Sequence, residues 1–101
     1  MKHKLWAQAN QACLVIEGDI DMHVAAELRV LLKEAASSKP TVLLVDLAGV
    51  SFIDSSGIAT IVEALKIVRK WFGKLIVKNC QEAVSDTFEI AGLTEILGIE
   101  R

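Results

Sequence analysis

Residues 42–68 read VLLVDLAGVSFIDSSGIATIVEALKIV, and the fold turns on this stretch. It opens on an apolar run, Val42-Leu43-Leu44-Val45, and Val42 to Leu47 reads as a central strand covered by helices. A turn at Ala48-Gly49-Val50-Ser51 and a short apolar return through Phe52 and Ile53 follow. The period then changes. Ile58, Ile61, Val62, Leu65, Val68 and Phe72 recur at helical spacing and mark one apolar face, with Gly73 as the expected C-terminal cap. Asp54-Ser55-Ser56-Gly57 therefore stands at a strand-to-helix junction. Unpaired N–H groups and the positive end of the helix dipole meet there, so a serine can either cap the helix or carry a phosphate.

Upstream, Ala12 to Glu17 reads as a strand and Leu5 to Ala9 as a weaker one, with Asn10-Gln11 as the hairpin turn. Gly18-Asp19-Ile20-Asp21 leaves the sheet, and Asp21 is placed to cap a helix carried by Val24, Ala25, Leu28, Leu31, Leu32 and Ala35. Pro40 ends that helix. Downstream, Leu75-Ile76-Val77 predicts another strand, and Val84, Phe88 and Ala91 a third helix stopped by Gly92. Residues 93–97 predict a last helical turn or an edge strand, with the helical turn preferred. The order predicts one α/β domain over residues 1–101. Its expected sheet is mixed and mostly parallel, of four or five strands with an N-terminal antiparallel hairpin, packed by three or four helices.

Composition narrows the function. The 101 residues suffice for one core, and 52% apolar content is that of a packed globular domain. Net charge is −2 and the basic residues are scattered along the chain, so no nucleic-acid partner is expected. A polar stretch, Ala7-Gln8-Ala9-Asn10-Gln11, follows the basic Met1-Lys2-His3-Lys4 where a signal peptide needs an apolar core. No apolar run approaches the ~20 residues of a membrane span. A soluble cytoplasmic protein without direct membrane insertion is the expectation.

Catalytic and cofactor chemistry lacks its signatures. No phosphate-cradling glycine loop occurs, and His3, His23, Cys13 and Cys80 fall outside metal-ligand spacing. Both cysteines sit in apolar stretches and read as buried, inert thiols. Asp19-Ile20-Asp21 only partly matches a phosphoaspartate hydrolase. For Ser55 as a nucleophile the sole candidate base is His23, which nothing in the sequence orients. A non-enzyme with no metal and no cofactor is therefore expected.

The helix after the junction points to a partner instead. A phosphate on Ser55 would bring about −1.5 to −2 charges and three acceptor oxygens to the helix start, beside Asp54 and near Asp21. Away from the apolar face lie Thr60, Glu63, Ile67 and Trp71, two of them large and apolar. They read either as a docking stripe descending from the serines, or as Trp71 folded over the helix end with Ile67 singly exposed.

These elements together resemble the STAS domain, the family of anti-sigma factor antagonists. The likeness is carried by Val45-Asp46-Leu47, Val50 and Phe52-Ile53-Asp54-Ser55-Ser56-Gly57-Ile58. Gly18-Asp19-Ile20-Asp21 upstream and Phe88-Glu89-Ile90-Ala91-Gly92-Leu93 downstream extend it over nearly the whole chain. The resemblance implies that Ser55 is the residue phosphorylated by an anti-sigma factor that is itself a serine kinase, which supplies the ATP. It further implies that the unmodified form binds this kinase and frees the sigma factor, and that a phosphatase resets the switch. Asp21, Asp54, Ser56 and Gly57 match the surroundings of that serine; Ala59, Thr60, Glu63, Ile67 and Trp71 are the expected partner surface. Related STAS proteins bind the ATPase of lipid-transport ABC systems or act in other signalling complexes, which is the alternative. Ala59, followed by Thr60, stands where many antagonists carry glycine and makes the first helical turn bulkier.

Overall fold

Strand-period and helix-period stretches alternate along the chain after the first hairpin, and the computed structural model describes residues 1–99. Its elements are β1 (Lys2–Gln8), β2 (Gln11–Glu17), α1 (Ala25–Ala36), β3 (Val42–Gly49), α2 (Ser55–Arg69), β4 (Lys74–Lys78) and α3 (Glu82–Ile90). The strands form one sheet in the order β1-β2-β3-β4, with β1 antiparallel to β2 and the remaining pairs parallel. This is the expected mixed sheet, with four strands and three helices among the described residues.

Register places Leu5, Leu14, Val45 and Val77 in one row across the sheet. That row faces the helices. Leu14, Ile16, Leu43, Val45 and Leu47 from the strands close a single core with Leu28 and Leu32 of α1, Ile61 and Val68 of α2, and Val84 and Phe88 of α3. The opposite row is Trp6, Cys13, Leu44 and Ile76, and none of these belongs to that core. The helices thus cover one face of β3 rather than both: Val42, Leu44 and Asp46 stay half-buried, while Leu43, Val45 and Leu47 are buried.

The hairpin differs from expectation by a residue. Its turn is Ala9-Asn10, Ala9 taking φ +54°, because Gln11 is needed in the ladder opposite both Gln8 and Val42. β1 also starts earlier, at Lys2, although every residue but Leu5 is exposed; backbone pairing with β2, not burial, makes it a strand. At the other edge, Leu97 N–H donates to Leu93 C=O at 3.0 Å, which is the expected helical turn. The Leu97 C=O then accepts Val77 N–H at 3.0 Å, so this turn caps the outer edge of β4.

The end of α2 holds a correction. Gly73 is not the left-handed residue; Phe72 is, at φ +62°, and its side chain is 96% exposed instead of lying on the core face. Gly73 N–H closes the helix onto Val68 C=O at 2.9 Å. What demands glycine there is close approach: a Cβ would lie 2.9 Å from both Pro40 O and the Trp71 indole nitrogen. Gly92, at φ +75°, does end α3 as expected, with Leu93 N–H donating to Phe88 C=O at 3.0 Å.

The two thiols are free and buried. Burial, reinforced by the Asp46 carboxylate, raises the Cys13 pKa and pushes Cys80 up to about 11, so both remain protonated at neutral pH. Two phenylalanines give the test of this packing. Phe88→Ala, which empties a fully buried site, should cost about 3–5 kcal/mol in urea unfolding. Phe72→Gly should cost nothing and can gain up to about 1 kcal/mol, because it relieves a left-handed L-residue. Equal losses at the two positions would contradict this placement.

Candidate functional site

The junction is assembled from two chain segments leaving the same ends of β2 and β3. Gly18, at φ +103°, turns the first segment, and its N–H donates to Gly49 C=O at 2.9 Å. Two residues on, Ile20 and Ile53 form an isolated parallel bridge. Ile20 N–H donates to Phe52 C=O at 2.9 Å and Asp54 N–H to Ile20 C=O at 3.0 Å. The Ser51 hydroxyl donates to Asp19 Oδ1 at 2.8 Å and ties the loops a second time.

Asp54 is the N-cap of α2, so neither serine performs that job. With extended backbone (φ −104°, ψ −177°), its Oδ1 accepts Ser56 N–H at 3.0 Å, Gly57 N–H at 3.1 Å and the Ser56 hydroxyl at 2.6 Å. Its Oδ2 reaches across to the loop before α1 and accepts Met22 N–H at 3.1 Å. The Ser56 hydroxyl, ahead of the Gly57, Ser56 and Met22 amides, holds the carboxyl below its ordinary pKa, and the partial loss of solvent opposes this only in part.

Gly57 matches this arrangement for a steric reason. A Cβ on it would stand 2.5 Å from Ile20 Cγ2 and 2.9 Å from Ile53 Cγ1. Its absence lets the first turn of α2 rest directly on the Ile20–Ile53 bridge. Asp21 plays a smaller part than expected: its Oδ1 accepts His23 N–H at 2.9 Å and its C=O accepts Val24 N–H at 3.1 Å. These bonds shape the turn ahead of α1, whose own N-cap is Val24 without a side-chain bond.

Ser55 is thereby left over. It is the first residue of α2, and it is exposed. Neither its hydroxyl nor its N–H has a hydrogen-bond partner among the described residues. Two apolar side chains share this surface that sequence patterning did not single out, Met22 at 72% exposure and Phe52 at 51%. The signal for Phe52 was its parity: Ile53 is buried, so its neighbour on the extended return points outward. Ala59, one turn beyond Ser55, is exposed as well.

The remainder of the expected stripe is elsewhere. Thr60 is buried, its hydroxyl donating to Ser56 C=O at 2.8 Å, and so lies off the surface. Glu63 Oε2 accepts from Arg29 Nε at 3.0 Å, which clips α2 to α1. Ile67 and Trp71 are half-buried against the core, and the indole N–H donates to Pro40 C=O at 2.8 Å. Glu63, Ile67 and Trp71 therefore line a groove between α1 and α2 instead of continuing the Ser55 surface.

Two substitutions test this construction by urea unfolding. Gly57→Val should cost about 1–3 kcal/mol through overpacking on Ile20 and Ile53; a neutral effect would contradict the close approach. Because the folded Asp54 pKa is lowered, its contribution is present above the unfolded carboxyl pKa and is lost as pH falls through the folded value. Asp54→Ala should therefore lower stability at pH 7, and the gap to the parent protein should narrow on acidification below about pH 4. A gap independent of pH would contradict the ionised cap.

Comparison with known proteins agrees with this geometry. The STAS domain family model matches residues 7–101. An anti-sigma-B factor antagonist of Bacillus subtilis (strain 168) is 36% identical over 84 residues, 83% of this chain and 76% of that protein. Its counterpart in Listeria monocytogenes is 30% identical over 87 residues, 86% of this chain and 76% of the relative. The solved structure of the Bacillus cell fate determinant SpoIIAA in its phosphorylated form superposes with a TM-score of 0.74 at 19% identity, covering 99% of this chain and 92% of the other. The chain belongs to the STAS domain family, that of the anti-sigma factor antagonists.

Proposed function

We propose that this protein is a phosphorylation-controlled binding switch. Unmodified, it binds an anti-sigma factor serine kinase and so releases a sigma factor; phosphorylated on Ser55, it does not. The observation that carries this reading is the division of labour at the junction. Asp54 takes the cap, and the exposed Ser55 hydroxyl is committed to nothing among the described residues. The relatives named as antagonists and the SpoIIAA structure described as phosphorylated support the same assignment.

The physical consequences follow from the surroundings. The Ser55 oxygen attacks the γ-phosphorus of the kinase's ATP, the bond to the leaving ADP breaks, and the hydroxyl proton passes to the kinase. The product carries about −1.5 to −2 charges at the positive end of α2, where helix dipole and the free Ser55 N–H receive it. None of the Asp54 bonds has to open, so the fold is retained. The surface changes character instead. A charge now stands among Met22, Phe52 and the carboxylates of Asp21 and Asp54, and a partner covering it would have to desolvate it. No chemistry beyond accepting the phosphate is asked of this chain, which acts as a binding protein and not as an enzyme. A phosphatase restores the neutral serine.

The test uses the cognate kinase with ATP. One phosphate should appear on the protein and none on Ser55→Ala, and Ser55→Asp should bind the kinase roughly 100-fold more weakly with an unchanged circular dichroism spectrum. Phe52→Asp and Met22→Glu, both at exposed positions, should fold and weaken binding at least tenfold. A kinase that leaves Ser55 unmodified, or binds the phosphorylated form equally well, would overturn the proposal.

A further inference from the structure

Lysines scattered in sequence are gathered in space at the end of α2 remote from Ser55. Lys33 in the last turn of α1, Lys39 beyond it, Lys66 in the last turn of α2 and its C-cap Lys70 rim one groove between the two helices, of about 670 Å³. The floor is apolar, provided by Ile67 and the Trp71 indole. The one carboxylate in the lining, Glu63, is already engaged by Arg29. None of the four ammonium groups has an ion-pair partner among the described residues.

Helix dipoles account for Lys33 and Lys66, since cations are favoured in a last turn. They do not account for Lys39. It holds a left-handed backbone, φ +52°, which an L-residue adopts only at a cost, pinned by its N–H to Ala36 C=O at 3.0 Å. The following Pro40 C=O is fixed in turn by the Trp71 indole. A strained turn therefore presents a fourth positive charge to a rim that already repels itself. At the same mouth the chain continues from Trp71 into Phe72, a second left-handed residue whose ring is 96% exposed.

We propose that this groove is a second docking site, and that its occupant is an acidic amphipathic helix of a protein partner. The apolar face of such a helix packs on Ile67 and Trp71 as a third helix beside α1 and α2, at the usual interaxial distance of about 8–10 Å. Its acidic flanks pair with the four lysines. A nucleic acid fits less well. The whole chain carries −2 net charge, so no extended positive field attracts a polyanion. The indole N–H, the polar group with which Trp71 could hydrogen-bond a base or phosphate, is also spent on Pro40. The groove floor at Ile67 lies about 18 Å from Ser55 along α2 at 1.5 Å per residue, and the site therefore works independently of the phosphorylation state.

The experiment titrates the isotope-labelled full chain with an 18-residue helical peptide, leucines at positions i, i+3, i+4 and i+7 and glutamates on both flanks, following the Trp71 indole resonance. A scrambled peptide of the same composition and a duplex DNA of similar charge are the controls. Saturable binding of the helical peptide alone is expected, at least tenfold weaker in Lys66→Glu/Lys70→Glu and unchanged in Ser55→Asp. Absence of a saturable shift, equal binding of the scrambled peptide, or tighter binding of the DNA to the same resonances would each overturn it. The Ser55→Asp arm separates this outcome from failure of the switch, which leaves the groove untouched.

Discussion

A single carboxylate connects the parts of this molecule that matter to its function. Asp54 receives four hydrogen bonds, three from the first turn of α2 and one from Met22 in the loop that leads to α1. Without it, two N–H groups at the head of α2 would lose their acceptor, and the two loops would be left with the Gly18–Gly49 bond, the Ile20–Ile53 bridge and the Ser51–Asp19 bond. Each bond is modest, but the carboxylate is ionised, and charge-assisted bonds are the stronger kind. Gly57 completes the device sterically by letting the helix settle on the bridge.

The consequence is a surface held rigid in position, on which the proposed switch would change only the charge. The carboxylate does the structural work one residue before Ser55, and Ser55 is thereby released from it. A modification there changes what a partner meets without asking the core to move. This is a local electrostatic event of the kind that needs no second conformation of the protein. The opposite end of α2 is held just as firmly, by the Trp71 indole on Pro40 and by Gly73 in the crowded space beneath. One helix, clamped at both ends, presents two separate surfaces.

Much of this was legible in the residues. The change from period two to helical spacing across Asp54 located the junction, and the apolar run from Val42 located the strand that supports it. Gly92 as a helix stop and the turn at residues 93–97 were equally readable. Other features were hidden for physical reasons. β1 has almost no buried side chain, so its backbone pairing leaves no apolar pattern behind. Phe72 falls on helical spacing, yet the chain has already turned left-handed there. Thr60 and Trp71 look like members of one stripe because a sequence shows their angle around α2 but not that α1 packs alongside it, with Thr60 buried and Trp71 at the groove. The basic groove was invisible for the same cause, since its lysines are separated by more than a third of the chain and meet only when the helices pack.

The proposed switch depends on the Asp54 cap and the Ser55 hydroxyl being separate devices. The most direct measurement compares amide hydrogen exchange and nitrogen–proton shifts of the chain with and without phosphoserine installed at position 55. The Ser56 and Gly57 amides should keep their protection while the Ser55 amide moves downfield and kinase binding is lost. A phosphate that instead captures the Ser56 and Gly57 amides and frees Asp54 would make cap and switch one device and contradict their separation.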